Sequence, residues 1–358
     1  MGAFRRIKLA DAPSIVRRGL AGLGFGLIAA CTGAWAGEPL TLKVVGGLGG
    51  VARYIQFERP FWMEELPRLS GGRLKAIIQP VDSGVARQAE MLKLMRLGVV
   101  PFGTVTVSLA AGDDPDLHML DLPGMHPDAA ALEAFVARHR EALAVRLRDR
   151  HRVKLLGLYV SPAQVLFCAK PFHDLSDLAG RRIRTSSVSQ SDLVEGLGAV
   201  PVKLGFVEIV SAIRSGNLDC AITGTLTGPE IGLAQATSHI HSMPISWGLS
   251  LFGANLDAWS ALPPNARDIV EKGVARLERR IWDRAAADTR LGFACSTGSA
   301  ACGESGRAAM TLVDASAADE ARLRRVLLEV VLPRWRERCG NACGPQAESV
   351  AHMIAEGG

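Results

Sequence analysis

The feature of this sequence that most restricts its fold is an alternation of strand-like and helix-like segments from residue 40 to residue 338. The β-rich run LTLKVV (40–45) opens the series, and short apolar runs such as VKLLGLYV (153–160) and LDCAIT (218–223) recur between helical patterns. Strands that alternate with helices usually form sheets that those helices cover. The alternation therefore predicts an α/β protein with mostly parallel sheets.

Three of the helical patterns are long enough to shape the architecture. Apolar residues recur at helical spacing over 127–151, and again from Asp257 to about Asp288, where the prolines of LPPNA restart the pattern at a helix N-terminus. The segment AADEARLRRVLLEVVLPRWRERC closes the series. We expect it to be kinked or broken at Pro333, because proline lacks the N–H that a helix interior needs.

The charge of the chain argues against a nucleic-acid-binding protein. The 358 residues carry a formal net charge of +5, and only two of them are tyrosine. Five basic residues and one acidic residue lie in the first 36, so the rest of the chain has a net charge of +1. A nearly neutral protein with few aromatic side chains lacks the electrostatic footprint of DNA or RNA binding.

The first 36 residues have the pattern of a cleaved signal peptide. A basic stretch precedes the charge-free run GLAGLGFGLIAACTGAWA (19–36), which ends in the small-x-small sequence Ala34-Trp35-Ala36. We therefore expect an exported protein of the periplasm. The alternatives are a membrane-spanning helix, a lipoprotein anchored through Cys31 and a twin-arginine signal in VRRGLA (16–21).

Six cysteines follow the predicted signal peptide, and export makes disulfides the first expectation for the late ones. The four late cysteines form two close pairs, Cys295 with Cys302 and Cys339 with Cys343. Their spacing leaves local and crossed connections open. A zinc site of the same four is the alternative, although the spacing differs from that of zinc ribbons. Cys168 and Cys220 lie in apolar segments and are predicted to be buried free thiols.

Common catalytic motifs are missing from the sequence. It has no G-x-S-x-G elbow, no G-x-x-x-x-G-K-[ST] loop and no H-E-x-x-H pair. His239 and His241 share one side of a predicted strand, but two ligands are too few for a metal, and we interpret them as a polar strand edge. The acidic turn DDPD (113–116) is interpreted as a solvated loop with a helix-capping aspartate. We therefore expect no enzymatic activity, no metal and no cofactor.

An arginine-rich stretch, AGRRIRTSS (179–187), is the strongest candidate for a binding site. If it forms a strand, Arg182 and Arg184 share a face. A guanidinium binds a carboxylate through two parallel hydrogen bonds, and the serines that follow add neutral donors. The alternative is that these arginines are ordinary surface charges.

The surroundings of this stretch carry three motifs within 171–224. They are F-x-x-L-x-D-L-x-G-R-x-I-R, then L-G-A-x-P-V, then F-x-E-I-x-x-A-I-x-x-G-x-L-D. With the later segment WGLSLFGANLDAWSALPPNARDIV (247–270), they resemble the periplasmic substrate-binding proteins of TRAP transporters, of the C4-dicarboxylate-binding type. The resemblance is strong over 171–270 and diffuse in the N-terminal half.

The resemblance implies an α/β, two-domain periplasmic binding protein (type II-like) with a ligand cleft between the domains and a long spanning helix. Domain I is expected at 37–161 plus 251–291, and domain II at 162–250 plus 292–358. The implied function is capture of a small organic acid, without chemistry on it, and delivery by a monomer to TRAP membrane permease subunits. The alternatives are a binding protein that feeds a sensor and a periplasmic hydrolase that uses the histidines and the acidic turn.

The resemblance also implies ligand-binding residues. Arg184, the last arginine of GRRIR, falls on the carboxylate-gripping arginine of the family, whereas Arg181 and Arg182 fall outside the site. Gln164 is neutral where some members have arginine, which weakens the expectation of a doubly charged ligand. The other candidate contacts are Phe206, Thr223, Trp247, Tyr54 with the glycine loop at 46–50, Thr225 and Thr227.

Overall fold

The computed structural model describes residues 38–84, 87–110, 112, 114–303, 308–340, 343, 348, 351, 352 and 354. The predicted signal peptide and Cys31 lie outside these residues. Residues from Glu38 onward pack together as one unit. No helix within the described ranges is long and apolar enough to cross a lipid bilayer.

The described residues form eleven strands in two sheets. The strands are β1 (Leu40–Gly46), β2 (Leu74–Pro80), β3 (Phe102–Thr106), β4 (Val153–Tyr159), β5 (Gln164–Cys168), β6 (Arg182–Thr185), β7 (Val200–Lys203), β8 (Cys220–Gly224), β9 (His239–His241), β10 (Ser250–Asn255) and β11 (Thr311–Val313). The first sheet has the order β2-β1-β3-β10-β4, and the second has the order β11-β9-β5-β8-β6-β7. The predicted α/β class is confirmed.

The expectation of mostly parallel sheets is confirmed, because all strands but one run in the same direction in each sheet. The one reversed strand makes each sheet mixed. β10 runs antiparallel to β3 and β4, and β5 runs antiparallel to β8 and β9. The chain crosses between the sheets three times, from β4 to β5, from β9 to β10 and from β10 to β11, and the two reversed strands follow the first two crossings. It leaves the first sheet at Tyr159 and returns to it at Ser250, and these two residues are paired, so the returning strand must run in the opposite direction.

Helices cover both sheets. The α-helices are α1 (Leu66–Leu69), α2 (Met91–Arg96), α3 (Val107–Ala110), α4 (Ala129–His151), α5 (Val188–Gly196), α6 (Ile209–Arg214), α7 (Thr227–Glu230), α8 (Leu256–Ser260), α9 (Pro264–Thr297), α10 (Ala317–Val326) and α11 (Leu332–Cys339). Shorter 3-10 turns are Val81–Ser83, Gln88–Glu90, Pro115–Asp121, Leu175–Leu178, Phe206–Glu208, Leu233–Gln235 and Ala300–Cys302.

Prolines inside helices are accommodated by π-helical turns. These turns are Arg53–Glu58, Phe61–Glu65 and Leu327–Val331, and each ends two residues before a proline. A π turn shifts the hydrogen-bond register by one residue, which adapts the helix to the missing proline N–H. The closing helix therefore continues through Pro333 into α11 instead of breaking there.

The 34-residue helix α9 is the long helix that the sequence predicts, and it extends past the predicted end near Asp288 to Thr297. It contacts β4 of the first sheet and α7, which follows the second sheet's β8. Near its C-terminus a glycine is required, because a Cβ atom at Gly292 would lie 2.3 Å from the backbone of Thr225. The helix is thus packed directly against the segment that follows β8.

Each sheet has its own apolar core. In the first, the buried rings of Trp62 and Phe252 lie 5.1 Å apart, and Tyr159 stacks on the same phenylalanine. In the second, Phe167 and Ile183 are fully buried. Burial of each such side chain stabilises the fold by roughly 1.5–3 kcal/mol.

Three disulfides join the six described cysteines. They are Cys168–Cys220, Cys295–Cys302 and Cys339–Cys343. The late pairs are therefore local. The prediction of free thiols at Cys168 and Cys220 is wrong, because the antiparallel register of β5 and β8 places them opposite each other with their Cα atoms 4.1 Å apart.

Two polar segments are more buried than the sequence suggests. The acidic turn is not solvated, since Asp114 and Asp116 are buried and both pair with Arg146 of α4. The histidines do not form a strand edge, because β9 lies between β5 and β11 and His241 is fully buried. In both places tertiary packing covers a segment that is locally polar.

Candidate functional site

A cavity of about 180 Å³ lies where the ends of the strands of both sheets meet. It is smaller than the 300–1,000 Å³ typical of drug-sized ligands, and it therefore suits a small metabolite. Its lining is mostly polar: Arg53, Gln88, Thr106, Ser108, His118, Asp121, Ser161, Gln164, Arg184, Ser186, Ser187, Gln190, Thr223, Thr227, Ser246 and Ser250, with a few apolar or glycine positions between them.

Arg184 is the most unusual side chain of this cavity. It lies on β6 between Val202 of β7 and Ala221 of β8, and only 6% of it is exposed. Its Nε donates to the Leu204 carbonyl at 3.1 Å and its Nη1 to the Ile222 carbonyl at 3.0 Å. Within the described ranges no carboxylate pairs with it. Burial lowers the pKa of this guanidinium to about 10, so Arg184 remains charged at neutral pH.

Three other predicted contacts line the same cavity. Gln164 opens β5, Thr223 lies opposite the next residue of that strand on β8, and Phe206 begins the turn that leads into α6. The ends of β5, β6 and β8 meet there, which brings these residues together with Arg184. Thr227 and Leu48 of the glycine loop also line the cavity.

The remaining candidates lie elsewhere. Trp247 is buried and donates its indole N–H to the His126 carbonyl at 3.1 Å, so it belongs to the core. Tyr54 is also buried, and its ring packs against Gly46. Neither is among the residues around the cavity. Thr225 is fully buried beside α9.

The other arginines of the opening stretch are occupied outside the cavity. Arg182 pairs with Asp219 at 3.0 Å. Arg181 donates to the carbonyls of Asp177, Lys170 and Pro171. Of the three arginines of GRRIR, only Arg184 lines the cavity.

Sequence analysis missed a second arginine, Arg53, on the opposite side of the cavity. Its Nε lies 3.2 Å from the carboxylate of Glu58, and its Nη1 donates to the hydroxyls of Ser161 and Ser250. Glu58 is 1% exposed and also accepts from the Gly47 N–H and the Thr104 hydroxyl. The signal in the sequence was an Arg-x-x-x-x-Glu spacing within a helical stretch, which is too common to single out.

A buried carboxylate and a buried imidazole were also missed. Asp121 accepts from the backbone N–H groups of Trp247 and Leu249, which lie on the chain crossing back to the first sheet. Burial raises the pKa of Asp121 to about 6, although these N–H groups oppose the shift. Burial, with a smaller contribution from Arg338, lowers the pKa of His118 to about 3, so this ring is neutral; its Nδ1 lies 2.9 Å from the Ser189 hydroxyl.

No metal centre emerges from the described residues. The single group with ligand-like spacing there is Asp116 with Cys339 and Cys343, and those cysteines are joined in a disulfide, so they offer no thiolates. His239, His241, Asp114 and Asp116, on which the hydrolase alternative depends, do not line the cavity.

A larger groove of about 960 Å³ runs beside α11. Its charged residues are Arg336 and Glu348, which are paired with each other, and the other lining residues are mainly apolar. It therefore offers no uncompensated charge comparable to Arg184.

Comparisons with known proteins agree with this geometry. A solute-binding protein of Albidiferax ferrireducens is 24% identical over 161 residues, which are 45% of this chain and 47% of that protein. The C4-dicarboxylate-binding periplasmic protein DctP of Rhodobacter capsulatus is 23% identical over 59% of this chain and 64% of its own length. The matched part of this chain thus spans about half to two thirds of these curated relatives.

Among solved structures, DctP7 of Bordetella pertussis, an extracytoplasmic solute receptor binding pyroglutamic acid, has the same fold. Its TM-score is 0.77 at 23% identity, over 88% of this chain and 99% of that one. The profile of the bacterial extracellular solute-binding proteins, family 7, matches residues 58–291, which is more than half of the chain. The chain therefore belongs to family 7 of the bacterial extracellular solute-binding proteins.

Proposed function

We propose that this protein is the extracytoplasmic receptor of a TRAP transporter, which binds a small organic carboxylate in the cavity and delivers it to the membrane permease. The single observation that carries the proposal is the buried guanidinium of Arg184, which faces a polar cavity without a carboxylate partner among the described residues. A buried charge without a partner is costly, and a ligand carboxylate would supply that partner.

The two sides of the cavity are in contact in this structure. The Ala52 N–H points to the Glu230 carboxylate at 3.4 Å, and His118 bonds to Ser189. These contacts support a clamp that closes around its ligand, in which binding favours the closed form. In this proposal the two domains are 37–161 with 251–291, and 162–250 with 292–358.

The proposal includes export to the periplasm with loss of residues 1–36, binding without chemistry on the ligand, and a monomeric receptor. Family membership and the charge-free run at 19–36 support export. The absence of the common catalytic motifs from the sequence and the family membership support binding alone.

The test is calorimetric titration of the purified protein with a panel of organic acids, including pyroglutamate, malate, keto acids and sugar acids. Native mass spectrometry first identifies any ligand that copurifies. We expect one acid class to bind with micromolar or tighter affinity and Arg184→Gln to weaken it at least a hundredfold.

Arg182→Gln is the matched control, because it removes the same charge two residues away from an exposed pair with Asp219. It should leave affinity within about twofold. Unchanged affinity in Arg184→Gln would reject Arg184 as the anchor, and an absence of binding by every carboxylate would reject the proposed function.

A further inference from the structure

Charge is distributed unevenly around the cavity. Four ionisable side chains line it within the described ranges: Arg53, His118, Asp121 and Arg184. Since His118 is neutral, three of them decide which charges a ligand can carry. The partners of these three groups are therefore informative about the class of ligand.

Of the two arginines, only Arg184 lacks a carboxylate partner in the described ranges. Its two acceptors among the described residues are the carbonyls of Leu204 and Ile222, which are neutral. One negative charge on a ligand would compensate it fully. Nη2 and the second N–H of Nη1 make no hydrogen bond within the described residues, so both terminal nitrogens can donate to a carboxylate.

Arg53 is already compensated. Glu58 lies 3.2 Å from it, is itself buried, and accepts two further hydrogen bonds from the protein. These hydrogen bonds stabilise the buried Glu58 carboxylate, and its negative charge compensates the positive charge of Arg53. The pair contributes little net positive charge to the cavity.

Asp121 makes a second negative charge on the ligand still less favourable. Its carboxylate lines the cavity and is fixed by the N–H groups of Trp247 and Leu249. A ligand carboxylate near it would meet a like charge in a site from which water is excluded.

The remaining polar groups are uncharged donors and acceptors. Gln164 donates through Nε2 to the Pro162 carbonyl at 2.9 Å, which leaves its other N–H and its carbonyl oxygen for the cavity. The neighbouring hydroxyls are Ser161, Thr223, Thr227, Ser246 and Ser250. Such groups satisfy an amide, a lactam or a hydroxyl without requiring charge.

We propose that the preferred ligand is a monocarboxylate whose other end is an uncharged hydrogen-bonding group, and that Gln164 with the Arg53–Glu58 pair excludes dicarboxylates. The inference rests on the proposed function and narrows its substrate class. A second ligand carboxylate would lose its hydration without gaining an unpaired cation, which is strongly unfavourable.

The test uses isosteric pairs in which only one charge differs. Succinate is compared with succinamate and glutarate with glutaramate at pH 7.5, by calorimetry on the purified protein, and the best acid from the panel is compared with the analogue that gains or loses one carboxylate. We expect the monoanion of the best-fitting pair to bind at least tenfold more tightly than the dianion.

Gln164→Lys adds a cation at the cavity and should shift the preference toward the dianion by at least tenfold. Gln235→Lys is the matched control, because it adds the same charge at an exposed position outside the cavity and should leave the preference unchanged. The comparison within the unmodified protein stands even if Gln164→Lys does not fold.

The outcomes separate the two proposals. Equal or tighter binding of the dianion, still dependent on Arg184, would overturn the monocarboxylate inference and leave the receptor function intact. Failure of all carboxylates, charged once or twice, would overturn both. Tighter monoanion binding that Gln164→Lys reverses would support the inference.

Discussion

The two arginines that face the cavity from opposite sides have the same chemistry and contrasting surroundings. Arg53, on the side of the first sheet, is bound by a buried glutamate and two serine hydroxyls. Arg184, on the second sheet, has only two backbone carbonyls as acceptors among the described residues. The fold compensates the charge of Arg53 with a carboxylate, and it supplies no carboxylate to Arg184 among the described residues.

The difference is between a buried charge that is paired within the protein and a buried charge that gains its partner only when a ligand binds. A buried ion pair that is complete within the protein stabilises the fold only as long as both partners remain. A buried charge without a partner destabilises the empty protein and gains its partner on binding. The two arginines should therefore respond in opposite ways to substitution, which the following measurements examine.

The largest expected effect is the loss of stability when Arg53, on the side of the first sheet, is substituted. Arg53→Met leaves Glu58 buried without its cation and should lower the free energy of unfolding by about 3–5 kcal/mol. Urea unfolding measures the loss. Arg182→Met, which breaks the exposed pair with Asp219, serves as control and should cost at most about 1 kcal/mol. Equal losses of unfolding free energy in Arg53→Met and Arg182→Met would show that the buried Arg53–Glu58 pair is no more important for stability than the Arg182–Asp219 pair.

The second sheet also contains a disulfide between β5 and β8, whereas residues 37–161 contain no cysteine. Cys168 and Cys220 are separated by 52 residues, so the double substitution to Ala should destabilise the protein by about 4 kcal/mol on loop-entropy grounds. Thermal unfolding under oxidising conditions measures this. The same double substitution at Cys295 and Cys302, separated by 7 residues, should cost less; a larger loss there would argue against the loop-entropy account.

Asp121, at the chain crossing between the sheets, should make stability depend on pH. Its pKa is raised from 3.8 to about 6 in the folded protein, so the folded state holds the proton more tightly and stability falls as pH rises through that window. Relative to Asp121→Asn, the wild type should lose on the order of 3 kcal/mol between pH 4 and 6. Chemical unfolding at several pH values tests this, and parallel curves for the two proteins would refute it.

The smallest expected effect is that of substituting Arg184, which should raise the free energy of unfolding, whereas substituting Arg53 should lower it. Arg184→Met removes a desolvated charge and should raise the free energy of unfolding of the ligand-free protein by about 1 kcal/mol, while binding is lost. Protein refolded from denaturant, and so freed of bound ligand, is required for this measurement. A clear loss of stability would mean that the two carbonyl contacts outweigh the desolvation of the charge.

Local patterns in the sequence predicted much of the secondary structure. The short apolar runs that the sequence offers as strands are β1, β4 and β8. A hydrophobic period depends on neighbouring residues, so it can be read without knowing the fold. Arg184 was found in the same way, through a motif that is contiguous in the chain.

What failed to follow from local pattern involves residues that are distant in sequence. The Cys168–Cys220 disulfide depends on the register of β5 with β8, and the burial of Asp114 depends on Arg146 of α4. Trp247 and Tyr54 illustrate the converse, because both are candidates from the sequence whose side chains are buried in the core, outside the cavity lining.

The sequence alone determined the α/β class and the long helix α9 and singled out Arg184 as the candidate for binding a carboxylate, because each is encoded in a run of neighbouring residues. The tertiary structure decided the mixed direction of the sheets, the disulfide partners and the compensation of Arg53 by Glu58 across from Arg184. Pairing between distant strands and the balance of charge in a cavity arise only when separate segments pack together, since burial turns an unpaired charge into a binding site.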